Sequence, residues 1–364
     1  MKFVPGLELC QHFYREAVRP ILDRHFPHLP HTAALIGPGS EVLGFDDEMS
    51  TDHHWGPRGQ IFLEPDDWDT HAPAIRERLR QELPHSFLGY PTNFGEPDPN
   101  DNGVQLLQAT DSGPVNHLVE VLTVGGFFRS YLNFDVDEII EPADWLTFPQ
   151  QRLLTVIRGR IFHDGIGLEA ERARFRWYPS DVWRYLLAAG WARIGQEEHL
   201  MGRAGLAGDE LGSALIGSRL VRDAMQLCFL MARQYAPYPK WFGTAFARLD
   251  CAPQLLDRLL AAQQATSWQA RDRWLGEVYE QLAILHNRLE LTDPLPEETR
   301  QFFGRPLRVM ALHGFADALL ATIRDPDVLR LARRRPIGSI DQFSDSTDLR
   351  EAVELRPSLR ALFA

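Results

Sequence analysis

Gly39 and Ser40 close a short apolar run, Ala33-Ala-Leu-Ile36, through the turn Gly37-Pro38. A glycine at such a corner lets the backbone come close to a phosphate group. The serine hydroxyl and neighbouring N–H groups can then hold its oxygens. Further along stand Asp52, His53 and His54. On a strand, residues i and i+2 face the same way, so Asp52 and His54 can share divalent metal ions while His53 points to the opposite side. Glu120 sits between Val119 and Val121 in the β-rich run Leu118 to Val124. An acid in that setting is costly to bury unless it is paired or metal-bound, the alternative being an exposed edge position.

The longer stretch Gly39-Ser-Glu-Val-Leu-Gly44-Phe-Asp46-Asp47-Glu-Met-Ser50-Thr-Asp52-His53-His54-Trp55-Gly56-Pro57-Arg58 resembles the nucleotidyltransferase superfamily built like DNA polymerase β. Within it, the chain resembles a bacterial family known only as a domain of unknown function. The second half shares that resemblance at Arg176-Trp-Tyr-Pro179, Trp191 to Gly202, Gly208-Asp209-Glu210-Leu-Gly-Ser213 and Tyr238-Pro-Lys240-Trp241-Phe-Gly-Thr.

The resemblance implies an α+β fold. A mixed sheet flanked by helices would occupy residues 1–170, and an α-helical bundle residues 171–364. It implies metal-dependent transfer of AMP from ATP, or of the equivalent group from another NTP, to a hydroxyl of a small molecule or protein, with release of pyrophosphate. On the superfamily pattern Gly39 and Ser40 hold the triphosphate, and Asp52, His54 and Glu120 hold Mg²⁺ or Mn²⁺. Asp52 and Glu120 are then the catalytic pair, Glu120 deprotonating or orienting the acceptor hydroxyl. The pattern has a carboxylate where this chain has His54. Mg²⁺ prefers oxygen ligands, whereas imidazole suits softer ions. The substitution implies an altered metal preference, a weaker site, or a nucleotide-binding regulator of the same fold without turnover.

Further basic and acidic residues are candidates for the nucleotide. Arg58, just after Gly56-Pro57, either neutralises phosphate charge or pairs with Glu64 or Asp66. Lys240, between Tyr238 and Trp241, reads as a loop residue free to contact a triphosphate. Arg203, Asp209 and Glu210 flank the Gly-rich link Gly202 to Gly208 and can line a pocket, although Asp209 can equally cap the next helix. Asp46 and Asp47 read as loop or capping residues. Arg308 and His313 have the R-x4-H spacing of a ribonuclease helix motif, which two common residues meet easily by chance.

The elements that must position these groups follow from periodicity. Leu9, Cys10, Phe13, Ala17 and Ile21 predict an amphipathic helix over 7–26 with Pro20 as a kink point. Gln60-Ile-Phe-Leu63 reads as a strand continuing from Asp52 across the turn Gly56-Pro57. A helix is expected over Thr70 to Leu83, with Pro73 in its first turn. Residues 85–115 are rich in Gly, Pro, Asn and Asp and read as loop with short strands such as Val104 to Leu107. Beyond residue 180 helix dominates: 180–202 capped by Ser180, a second long helix through Leu211 to Tyr235, then about 252–265, 267–290, 296–323 and 325–335.

Composition bounds the rest. At 364 residues and 44% apolar, the chain can build two cores. No apolar run nears the roughly 18 residues that span a bilayer, and the N-terminal residues lack the zones of a signal peptide. Cys10, Cys228 and Cys251 are widely spaced and suit reduced thiols, so a cytoplasmic protein is expected. The net charge of −12 disfavours a nucleic-acid partner while leaving room for a local basic groove. Arg333-Arg-Arg335 reads as a solvated helix end.

Overall fold

A computed structural model describes residues 3–51, 53–101 and 103–364. The chain forms two compact units. The first comprises residues up to Ile139 together with Arg152–Arg176, and the second comprises Ile140–Gln151 and Trp177–Ala364.

The first unit is built on four strands: β1 (Thr32–Leu35), β2 (Arg58–Leu63), β3 (Leu118–Thr123) and β4 (Arg160–Asp164), in the spatial order β3-β2-β1-β4. β1 runs antiparallel to both β2 and β4, whereas β2 and β3 are parallel, so the sheet is mixed. One face carries Ala33, Ile61, Leu63, Val119 and Val121. It is covered by Phe13, Tyr14, Val18, Ile21 and Leu22 from the N-terminal helix and by Ala72, Ile75 and Leu79 from the helix Pro65–Glu82. Alternation then sends Arg58, Gln60 and Glu120 to the other face.

The N-terminal helix runs without a break from Gly6 to His25 but widens to a π-helix over Tyr14–Val18. Pro20 cannot donate to the carbonyl four residues earlier and its ring crowds that turn; the wider turn beside it relieves the clash. The helix expected over 70–83 begins earlier, at Pro65, so Pro73 is interior rather than in the first turn. It is tolerated on the exposed side, where no packing depends on the lost bond. β4 was not anticipated: Arg160 and Asp164 at its ends are exposed, as suits an edge strand, and this hides its pattern.

In the second unit the long helices Ser180–Leu206 and Glu210–Met231 pack on one another and on Trp268–Asn287. Trp183 Nε1 donates to Leu230 O (2.7 Å) and Trp191 Nε1 to His286 Nδ1 (3.2 Å), so both buried indoles are satisfied. The first helix has Pro179, not Ser180, at its N-cap. Residues 296–323 are not one helix. They form an antiparallel hairpin, Arg300–Phe302 with Arg305–Val309, then a short 3₁₀ turn and the helix Phe315–Ala321. Pro306 and Gly304 oppose a helix there. Among the described residues no helix is long and apolar enough to cross a membrane.

Candidate functional site

β1 leads through Ile36 into the corner Gly37-Pro38-Gly39, where Gly37 and Gly39 take φ of +89° and +147°. Ser40 does not end a turn; it opens the one-turn helix Ser40–Leu43. That turn inserts Glu41, 3% exposed, behind the corner. Arg58, the first residue of β2, meets it there. Its Nε and Nη2 donate to Glu41 Oε1 (2.9 and 2.5 Å), and Nη2 also donates to Pro38 O (2.7 Å). Burial alone would lower the pKa of the guanidinium, but Glu41 beside it raises it above the usual arginine value. Neither Glu64 nor Asp66 is its partner. Arg58 buttresses the Gly-Ser corner from beneath.

Two residues along the same face, Gln60 is 4% exposed and wholly committed. Its Oε1 accepts from Ile36 N (3.0 Å) and its Nε2 donates to Ile36 O (3.1 Å). The same Nε2 donates to Glu120 Oε2 (3.3 Å). This follows from the parallel register, which sets Gln60 directly opposite Glu120. One amide therefore ties the carbonyl that leads into the corner to the acid on the neighbouring strand. Glu120 itself is exposed, as its edge-strand position allows. It also borders a groove of about 450 Å³ between β3 and the helix Pro65–Glu82, with Arg76, Arg80, Asn116 and His117 in its walls.

His54 is not on a strand. Residues 53 and 54 are bends, and β2 starts only at Arg58. The same-face argument for Asp52 and His54 therefore fails: His54 has φ of +49°, outside any strand geometry. Its N–H donates to Gln105 O (3.1 Å). Its imidazole is half-buried, and burial followed by the charge of Arg58 lowers its pKa, favouring the neutral ring. Glu120 and Glu41 are near enough to act in the opposite sense. Asp52 lies outside the described residues. Among the described residues no group of three or more His, Cys, Asp or Glu is arranged to hold a metal ion. The loop around these residues is fixed by others. Asp46 Oδ2 accepts from Gly6 N (2.6 Å) and Trp55 Nε1 (3.1 Å), and Asp47 caps the 3₁₀ turn Glu48–Ser50.

In the second unit, Lys240 is not in a loop. It is the second residue of the helix Pro239–Phe246, exposed, with Nζ 5.0 Å from the centre of the Trp241 ring. Asp209 caps the helix Glu210–Met231, its Oδ1 accepting from Gly212 N (2.7 Å). Glu210 Oε1 accepts from Trp268 N (3.1 Å), and its other oxygen lies 3.6 Å from Arg271. Arg203 is exposed in the last turn of the helix Ser180–Leu206. Arg308 lies on the hairpin and His313 on the 3₁₀ turn, so no single helix face presents the R-x4-H pair.

Glu41 and Gln60 escaped the sequence reading. The available signal was a lone polar residue inside an apolar stretch: Glu41 before Val42-Leu43, and Gln60 before Ile61-Phe62-Leu63. Such residues are buried only when partnered.

Residues 145–242 match a family described as a domain of unknown function (DUF4037). That span takes in the quoted motifs from Arg176 to Trp241 and excludes the stretch from Gly39 to Arg58. No curated protein sequence matches the chain. A solved structure that matches is the nucleotidyltransferase-like protein from Exiguobacterium sibiricum 255-15, at 11% identity and TM-score 0.33, over 76% of this chain and 78% of that one.

Proposed function

We propose that the first unit is a nucleotidyltransferase that transfers the nucleoside monophosphate of ATP, or of another NTP, to an acceptor hydroxyl. The observation that carries this reading is the Gln60 amide, which joins Ile36, at the approach to the Gly39-Ser40 corner, to Glu120 on the parallel strand. On this reading the corner receives the phosphates, and Arg58 keeps its shape through Glu41. Glu120, exposed on the face it shares with Gln60, takes or orients the proton of the acceptor hydroxyl. The hydroxyl oxygen attacks the α-phosphorus, the α–β bridging bond breaks, and pyrophosphate leaves. Asp52, His54 and Glu120 are the residues that would hold a divalent ion, which would neutralise triphosphate charge. The expected nucleotide contacts from Lys240, Arg203, Asp209 and Glu210 are not part of this reading: all four lie in the second unit, where Asp209 and Glu210 serve structural bonds.

The test is incubation of the chain with each NTP labelled at the α-phosphate, with Mg²⁺ or Mn²⁺ and a panel of hydroxyl-bearing acceptors. Pyrophosphate release that Glu120→Gln abolishes supports transfer. Saturable nucleotide binding without release supports the regulator that His54, in the place of a carboxylate, suggests. Neither binding nor release in any combination overturns both.

A further inference from the structure

The hairpin of the second unit holds an aromatic side chain that the fold does not explain. Its turn is Phe303-Gly304, between the paired residues Phe302 and Arg305. Both turn residues have positive φ, +44° for Phe303 and +73° for Gly304. Such two-residue turns favour Asn or Gly at the first position, because a bulky side chain is strained there. Strain of this kind is usually offset by packing, yet Phe303 is 75% exposed. Its ring makes a T-shaped contact with Phe302, at 4.9 Å between centres. Phe302 in turn stacks on His199 of the helix Ser180–Leu206, at 4.4 Å and 20° between planes. The result is a run of three rings in contact that ends in the exposed ring of Phe303.

The rim of this tier is basic. Arg305 lies over Phe302, its Cζ 5.8 Å from the ring centre. Arg203 stands one helical turn from His199, and the positive charges of Arg203 and Arg305 both reach that ring. Arg300 is exposed at the foot of the same strand as Phe302. Among the described residues none of these three arginines forms an ion pair, in a chain whose net charge is −12. Glu297 and Glu298 stand just before Arg300 in the sequence. Glu297 is engaged by Asn287 (3.0 Å), while Glu298 is exposed.

The base of the hairpin is fixed. Leu307 is fully buried against Gly202, where any Cβ would come within 2.4 Å of its Cδ2. Asp272 accepts from Arg308 N (3.2 Å), and buried Glu198 accepts from Met310 N (2.8 Å) and Ala311 N (3.1 Å). The tip therefore projects from a rigid root, as a recognition element needs.

We infer that the hairpin tip, with Phe303, Phe302 and His199 as a stacking tier and Arg203, Arg300 and Arg305 as its cationic rim, binds single-stranded nucleic acid. Each component matches one part of that ligand. An open aromatic face accepts an unpaired base of any sequence, and unpaired arginines track the phosphates. A bilayer is the competing partner for an exposed ring among cations. One exposed phenylalanine buries too little apolar surface to anchor a protein there, whereas one ring suffices to stack one base. The inference stands independently of the transfer reaction in the first unit.

The experiment is fluorescence anisotropy of labelled 15-nucleotide poly-U and poly-A RNA, and of a duplex of the same length, titrated with the full chain at several salt concentrations. Saturable single-strand binding is expected. Phe303→Ala should weaken it about ten-fold, with Phe303→Tyr near wild type, because a ring suffices. Arg305→Gln should weaken binding to all sequences and reduce the salt slope by about one. A thermal melt of Phe303→Ala should be unchanged or raised, so lost binding cannot be lost folding. Absence of saturable binding overturns the inference. So does single-strand binding that Phe303→Ala leaves intact, or that a duplex matches, since charge alone would explain either. Co-sedimentation with anionic vesicles that depends on Phe303, in place of RNA binding, assigns the tip to membranes instead and also overturns it.

Discussion

Gly39→Ala puts a number on how the Gly-Ser corner is held. At φ of +147° an alanine is strained, at about 1–2 kcal/mol. Its Cβ would also stand 2.5 Å from Glu41 Oε2 and 2.6 Å from Arg58 Nη2, distances real atoms do not keep. Both contacts must open. The side chains of Glu41 and Arg58 are 3% and 12% exposed, so neither can swing into water, and separating a buried pair costs about 3–5 kcal/mol. The corner will absorb part of the collision by moving, and the total expected is about 3–5 kcal/mol. Urea unfolding followed by tryptophan fluorescence measures it. A double-mutant cycle with Glu41→Ala then separates the two contributions. With Glu41 truncated, its oxygen is gone and Arg58, having lost its partner, can move aside, so Gly39→Ala should cost little beyond its strain, leaving a coupling of about 2 kcal/mol. A loss under about 1 kcal/mol for Gly39→Ala, or strict additivity with Glu41→Ala, would refute the claim that the ion pair sets the corner. Nucleotide affinity of the same variants asks whether the corner's shape matters for phosphate as well.

Other perturbations read different parts of the molecule. Glu120→Gln should change stability by no more than about 0.5 kcal/mol, because the side chain is exposed, while nucleotidyl transfer falls about 10²–10⁴-fold; a stable variant with full turnover would remove Glu120 from the chemistry. Burial pushes the Glu198 carboxyl up to about 7 despite two N–H donors. The folded chain then keeps a proton that the unfolded chain releases above about pH 4.5, so stability falls as pH rises from there to about 7. Glu198→Gln removes that dependence, and its stability relative to wild type should be about 3 kcal/mol higher at pH 8 than at pH 5. Equal differences at both pH values in urea unfolding would show that Glu198 does not titrate in this window. Asp209→Ala should lose about 1 kcal/mol through its cap on Gly212, by thermal melt, and Asp209→Asn should recover most of it; a failed rescue would point to a role for the charge itself.

The strands legible in the sequence are those whose neighbours are dictated locally. Ala33 to Ile36 and Ile61 to Leu63 are apolar because they are buried in the core, and Val119-Glu120-Val121 alternates because one side of β3 is core and the other is not. Alternation says which side of a sheet a residue takes. It does not say which residue stands beside it on the next strand. The bond from Gln60 to Glu120 joins residues 60 apart in sequence, and the Arg58–Glu41 pair depends on a helical turn at Ser40 that a Gly-Ser dipeptide does not announce. Lys240 illustrates a signal passed over, since Pro239 before it is a favoured first residue of a helix. The hairpin at 300–309 shows the opposite failure. Phe302, Phe303, Leu307 and Met310 happen to fit a helical period, and only Gly304 and Pro306 speak against it. His54 is the instructive case for the candidate site. Its pairing with Asp52 was inferred from the two-residue repeat of a strand, and that repeat holds only where a ladder holds the backbone extended. Bends at His53 and His54 remove the premise. Any role of His54 must therefore come from where the loop carries its half-buried ring, whose pKa burial lowers, within reach of the charges of Arg58 and Glu120.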